Sequence, residues 1–98
     1  MNLKPNGVVS IITNSGEYVG KMLEKDESTI VLENPVMVMA TEQGMGFAGS
    51  VAMTGEEKPK AITFYNISHA TNTNSQVESA YRQHTSGLIT APTNGVII

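Results

Sequence analysis

Tyr65 and Asn66 stand side by side at the end of an apolar run, Ala61–Tyr65 (AITFY). An aromatic ring can stack on a flat heterocycle, and a neighbouring amide offers both a donor and an acceptor to a base edge. The competing role for Tyr65 is packing, because alternate residues of a half-buried strand face a core. Lys21, Lys25 and Arg82 could meet phosphate groups, although scattered surface cations are ordinary in folded chains.

Other chemistry finds less support. His69 and His84 are the only histidines and cysteine is absent, so a zinc-type ligand set is incomplete and no metal is expected. No Ser-His-Asp or paired-carboxylate arrangement sits in a motif context, so the expectation is no enzyme, no catalytic residue and no cofactor. Glu56-Glu57 beside Lys58 read as a solvated turn tip. Gln43–Phe47 (QGMGF) has phosphate-loop glycine spacing but lacks the Lys and the helix that such a loop needs.

A chain of 98 residues supports one small domain. It is 40% apolar but only 15% charged, where about 25% charge is usual. The apolar content suffices to fold, yet a chain this short buries only about 60–65% of its unfolded surface, which leaves a monomer marginal. Without disulfides or zinc, oligomerisation is the remaining remedy. The net charge of −3 disfavours a mainly electrostatic grip on nucleic acid, while allowing a local basic rim. Apolar runs are too short to span a membrane, and Met1–Gly7 has no apolar signal core. A cytoplasmic location without a membrane partner is expected.

The elements that would position these residues are mostly strands. Val8–Asn14 (VVSIITN) is rich in β-branched residues, and Asn14-Ser15-Gly16 signals a tight turn. Glu17–Lys25 resumes an extended pattern, with Gly20 inside it marking a bend or a close backbone approach. After a turn at Asp26-Glu27-Ser28, Thr29–Glu33 is a third strand; Asn34-Pro35 interrupts its ladder, and Val36–Ala40 could extend it. Thr41–Gly49, with three glycines, reads as a loop, and Val51–Met53 as a short apolar segment. Ala61–Tyr65 is a strand, and Ile67–Thr71 either continues it or forms a separate short strand after a bend at Asn66. Ser75-Gln76-Val77-Glu78 matches a capping box. Val77, Ala80, Tyr81 and His84 share a helical face, and Gly87 is a plausible stop. The pattern predicts a mainly β, strongly bent five-stranded barrel over about 8–71, one short C-terminal helix over about 76–86 and an apolar tail over 87–98.

The segment Asn14–Leu32 (NSGEYVGKMLEKDESTIVL) resembles the Sm-like family, which comprises the Sm, LSm and bacterial RNA-chaperone proteins. Gly16, Gly20, Met22, Asp26, Ile30 and Leu32 match its first motif, including the spacing from Gly20 to Asp26. The match covers residues 8–33 well and 61–71 loosely. It implies an Sm-like (SH3-like) barrel in which Gly16, Gly20 and Asp26 are structural. It also implies a homo-oligomeric ring, pentamer to heptamer, in which strands of neighbouring subunits pair, and a role in single-stranded RNA binding or RNA metabolism.

Several positions depart from the family. The interval from Gly16 to Gly20 is one residue shorter than usual, and the helix follows the barrel instead of preceding it. Ser28 stands where the family places a base-stacking aromatic or His, and Ile30 where Sm and LSm proteins place a base-reading Asn. Phe64-Tyr65-Asn66 replaces the basic second motif. The RNA-binding candidates are therefore Ser28, Tyr65, Asn66 and Lys25, in a divergent, phage-type member. A structural or protein-binding ring without RNA is the alternative, and a monomeric peptide-binding barrel a third. The methionine-containing segments Val36–Met39 and Val51–Met53 are read as subunit contacts or, alternatively, as ordinary core.

Overall fold

The structure is a computed structural model that describes residues 3–48, 51–52, 54–56 and 58–86. Six antiparallel strands form one sheet, followed by one helix. The strands are β1 (Val8–Thr13), β2 (Gly16–Lys25), β3 (Thr29–Thr41), β4 (Gly44–Phe47), β5 (Ala61–Tyr65) and β6 (Ile67–Asn72). The helix α1 spans Ser75–Ser86. Neighbours run β4-β3-β2-β1-β6, and β5 pairs with the first half of β3. The tail beginning at Leu88, the stop at Gly87 and Met53 lie outside the described residues. No helix among the described residues is long and apolar enough to cross a membrane.

The anticipated close approach at Gly20 is present. Val19 pairs with Val36 and Lys21 with Glu33, so Gly20 alone faces Asn34 and Pro35. Such a bulge is where a strand tolerates Pro, which has no N–H to give to the ladder. Asn34 adopts φ 51°, a left-handed conformation that Asn accepts more readily than most residues. A β-carbon on Gly20 would lie 2.9 Å from Leu32 Cβ and 3.2 Å from Pro35 Cα. The bulge also switches the faces of β3. Before it, Ile30 and Leu32 join a core with Val9, Ile11, Tyr18, Met22, Phe64 and Ala70. After it, residues of the same parity point the other way, and Val36 joins Val8, Val19, Phe47, Val77 and Tyr81.

β3 thus runs on through Asn34-Pro35 to Thr41, and the sheet has one strand more than the five expected. The extra strand is β4, in the stretch read as a glycine loop. Val38 pairs with Phe47 and Thr41 with Gly44, whose φ of 125° suits glycine. Fully buried Phe47 anchors this strand against the second core, so tertiary packing overrides the low strand propensity of its glycines. Val36, expected at a subunit contact, is instead buried within the chain, while Met39 is exposed.

The helix starts one residue earlier than a Ser75 cap would require. Asn74 is the cap: its Oδ1 accepts from the Val77 amide at 2.9 Å. Glu78 takes Arg82 as an i,i+4 ion pair at 2.8 Å rather than closing a capping box. The predicted helical face does the packing. Val77 and Tyr81 are buried, and the rings of Tyr81 and His84 meet Phe47 edge-on at 6.4 and 5.5 Å. The Tyr81 hydroxyl spans the two carbonyls exposed by the bulge, reaching Glu33 O at 3.0 Å and Asn34 O at 2.8 Å.

Burial pushes the Tyr81 phenol up to about 12, from an ordinary value of 10.0. A raised folded-state value means that stability is intact below pH 10 and falls as pH rises toward 12. The loss is about 2–3 kcal/mol, at about 1.4 kcal/mol per unit. Tyr81→Phe is expected to cost about 1 kcal/mol at pH 8 through its lost hydrogen bonds, but to flatten the alkaline decline. Urea midpoints at pH 8 and pH 11.5 for both proteins check this; parallel declines would contradict it.

Candidate functional site

The bend at Asn66 organises the surface around it. Tyr65 pairs with Thr29 on β3, and Ile67 pairs with Thr13 on β1. A single residue therefore carries the chain from one ladder to the other, at φ 54°. Backbone in this region is uncommon for a residue with a side chain, and Asn is among those that accept it best. Two hollows flank the bend.

The first, about 320 Å3, lies between the bend and the β1–β2 turn. Tyr65 and Asn66 line it together with Thr13, Asn14, Ser15 and Thr63. Tyr65 is 64% exposed, the most open large apolar side chain among the described residues, so it does not pack in the core of its own chain. Beneath it, Tyr18 and Phe64 stack obliquely at 4.9 Å within the core. A line of hydroxyls forms one wall: Thr13 Oγ1 lies 2.9 Å from Ser15 Oγ, which lies 3.1 Å from Tyr18 Oη. Thr13 Oγ1 also accepts the Ser15 amide at 3.1 Å, which holds the turn in shape.

The second hollow, about 200 Å3, lies between the β2–β3 turn and the start of β6. Lys25 and Ser28 line it, joined by Asp26, Glu27, Ser68 and His69. Asp26 has the structural role expected of it: its Oδ1 accepts the Glu27 amide at 2.8 Å, and its own amide donates to Thr29 O at 2.8 Å. Lys25 has no ion pair among the described residues. Lys21 is engaged with Glu33 at 3.7 Å and Arg82 with Glu78, which weakens the case for either as a phosphate contact.

The four candidate residues therefore divide in pairs, Tyr65 and Asn66 on one side of the bend and Lys25 and Ser28 on the other. Asn14, Ser15 and His69 escape sequence reading. The first two carry only a turn signal, and His69 becomes a neighbour of Lys25 only through the fold. A smaller cavity of about 140 Å3 sits on the bulge, lined by Asn34, Lys58 and His84. There burial, helped by the charge of Lys58, holds His84 below its ordinary value. No protein-family model matches the sequence, and no curated protein shows significant similarity to it.

Proposed function

We propose that the chain is a small-barrel subunit of Sm-like type that assembles into a homo-oligomeric ring and binds single-stranded RNA at the β5–β6 bend. The observation that carries this reading is the convergence of the β2–β3 turn on the bend. The Thr29–Tyr65 pair sets Ser28 and Lys25 on one side of Asn66 and the Tyr65 ring on the other. A stacking ring and a hydrogen-bonding amide in one hollow, with a lysine in a neighbouring one, suit an unpaired strand.

The strand connections support the barrel. Pairing proceeds β6-β1-β2-β3-β5, and β5 returns to β6 through Asn66 alone. We read this order as the circuit of a five-stranded barrel, with β4 as an extension of its long hairpin. Among the described residues no strand pairs with the second edge of β4, β5 or β6. Edge pairing between copies would cover these and enlarge a small core. One Lys25 per subunit is a weak phosphate contact, but a ring repeats it, and linked weak contacts multiply.

Light scattering together with fluorescence titration tests the proposal. A mass of five to seven times 10.5 kDa is expected, with uridine-rich or adenine-rich oligonucleotides bound more weakly as salt rises. The net charge of −3 and the engagement of Lys21 and Arg82 favour the rival, a ring that binds protein or serves as a scaffold. Absence of oligonucleotide binding at any salt by an oligomeric protein would select that rival. A mass near 10.5 kDa would remove the ring.

A further inference from the structure

We infer that the hollow between the β1–β2 turn and the β5–β6 bend seats one unpaired nucleobase, with Asn14 and Ser15 as binding residues opposite Tyr65 and Asn66. The inference deepens the proposed RNA contact and rests on that reading for its biological setting.

The lining chemistry selects the ligand class. None of the nine residues around this hollow is charged. A phosphate or carboxylate entering it would lose hydration without gaining a counter-charge, which is costly. A neutral, flat ligand avoids that cost. Its ring can lie against exposed Tyr65, and its edge can meet amides from both turns, Asn14 and Asn66. Each amide supplies a donor and an acceptor, as base edges require.

The site is also preorganised. Thr13 Oγ1 is fixed by the turn, donating to Gly16 O and accepting the Ser15 amide, while the Ser15 and Tyr18 hydroxyls next to it can turn to donate or accept. A hollow of about 320 Å3 falls at the lower end of the range of about 300–1,000 Å3 for small-ligand sites. Because hydroxyls adapt, discrimination among bases is modest. The charged part of the nucleotide stays outside this hollow; on the other side of Asn66 Lys25 lies beside the carboxylates of Asp26 and Glu27.

Ligand-observed saturation-transfer NMR on the full chain, with free uridine, cytidine, adenosine and guanosine, tests the inference. Base protons are expected to receive more saturation than ribose protons. Affinity should be unchanged between about 50 and about 200 mM salt, since no phosphate is held. Tyr65→Ala is expected to weaken nucleoside binding about tenfold or more, as loss of base stacking does. Asn66→Gly, which keeps the left-handed backbone while deleting the amide, and Asn14→Ala should each weaken it several-fold, with circular dichroism unchanged.

Failure of all four nucleosides to bind, binding of free ribose as tight as that of nucleosides, or indifference to Tyr65→Ala would each overturn the base seat. If oligonucleotides bind while free nucleosides do not, the base seat falls and the RNA reading stands. If nucleosides bind while oligonucleotides do not, the seat stands and the RNA reading falls.

Discussion

Phe47→Ala is expected to destabilise the chain by about 3–5 kcal/mol, the usual range for deleting a fully buried aromatic. Native domains have about 5–15 kcal/mol in total, so the loss takes a large share of that stability and nearly all of it at the low end of the range. Phe47 has no exposed surface and is the largest fully buried side chain among the described residues. It belongs to the shortest strand, yet its ring meets the rings of both Tyr81 and His84, and it shares a core with Val8, Val19 and Val36. Its removal would leave a cavity between sheet and helix. The second consequence is local: α1 loses its main contact, so amides of residues 75–86 should exchange faster than those of β1 and β2. Urea denaturation followed by circular dichroism, with hydrogen exchange, measures both effects. Phe47→Leu should recover about half of the loss, whereas a Phe47→Ala protein of unchanged midpoint would show that this core is not what holds the helix.

Gly20→Ala is expected to cost about 1–3 kcal/mol, the range for forcing extra atoms into a packed core. That corresponds to a melting temperature lower by roughly 5–20 °C in a domain of this size. The sign is not obvious in advance, because Gly→Ala normally gains about 0.4–1 kcal/mol by restricting the unfolded chain. Here the clash outweighs that gain. The new methyl would meet Leu32 Cβ at 2.9 Å, Leu32 Cδ1 at 3.1 Å and Pro35 Cα at 3.2 Å; the nearest is a side-chain root and the last a backbone atom, neither of which a rotamer change moves away. Leu32 is fully buried, so it cannot move aside freely. Calorimetric melting decides the matter: an unchanged or raised midpoint would mean that the bulge relaxes around the methyl at little cost.

Local signals located most elements. The β-branched run from Val8, the turn at Asp26, the Asn34-Pro35 interruption and the Val77-Ala80-Tyr81-His84 stripe all express short-range preferences, and each has its counterpart in the structure. The misses share a cause. β4 was hidden because its glycines carry no strand preference and its order derives from pairing with β3 and from Phe47. The helix cap was misplaced by one residue because Asn74 and Ser75 are both good caps, and only geometry selects Asn74. The site was half legible. Tyr65 and Asn66 stand out by residue type, whereas Asn14 and Ser15 are about fifty residues away in sequence and reach them only through the pairing of β1 with β6.

From its residues alone, this chain is committed to short antiparallel strands with one amphipathic helix, because side-chain alternation and turn chemistry act over a few neighbouring positions. Which face each half of β3 buries, that Tyr65 is exposed, and that an uncharged hollow and Lys25 fall on opposite sides of Asn66 were decided by tertiary structure. The physical reason is parity. One extra residue opposite Gly20 turns the rest of β3 over, and one left-handed residue at Asn66 transfers the chain between two ladders. Outcomes of that kind depend on which strands meet.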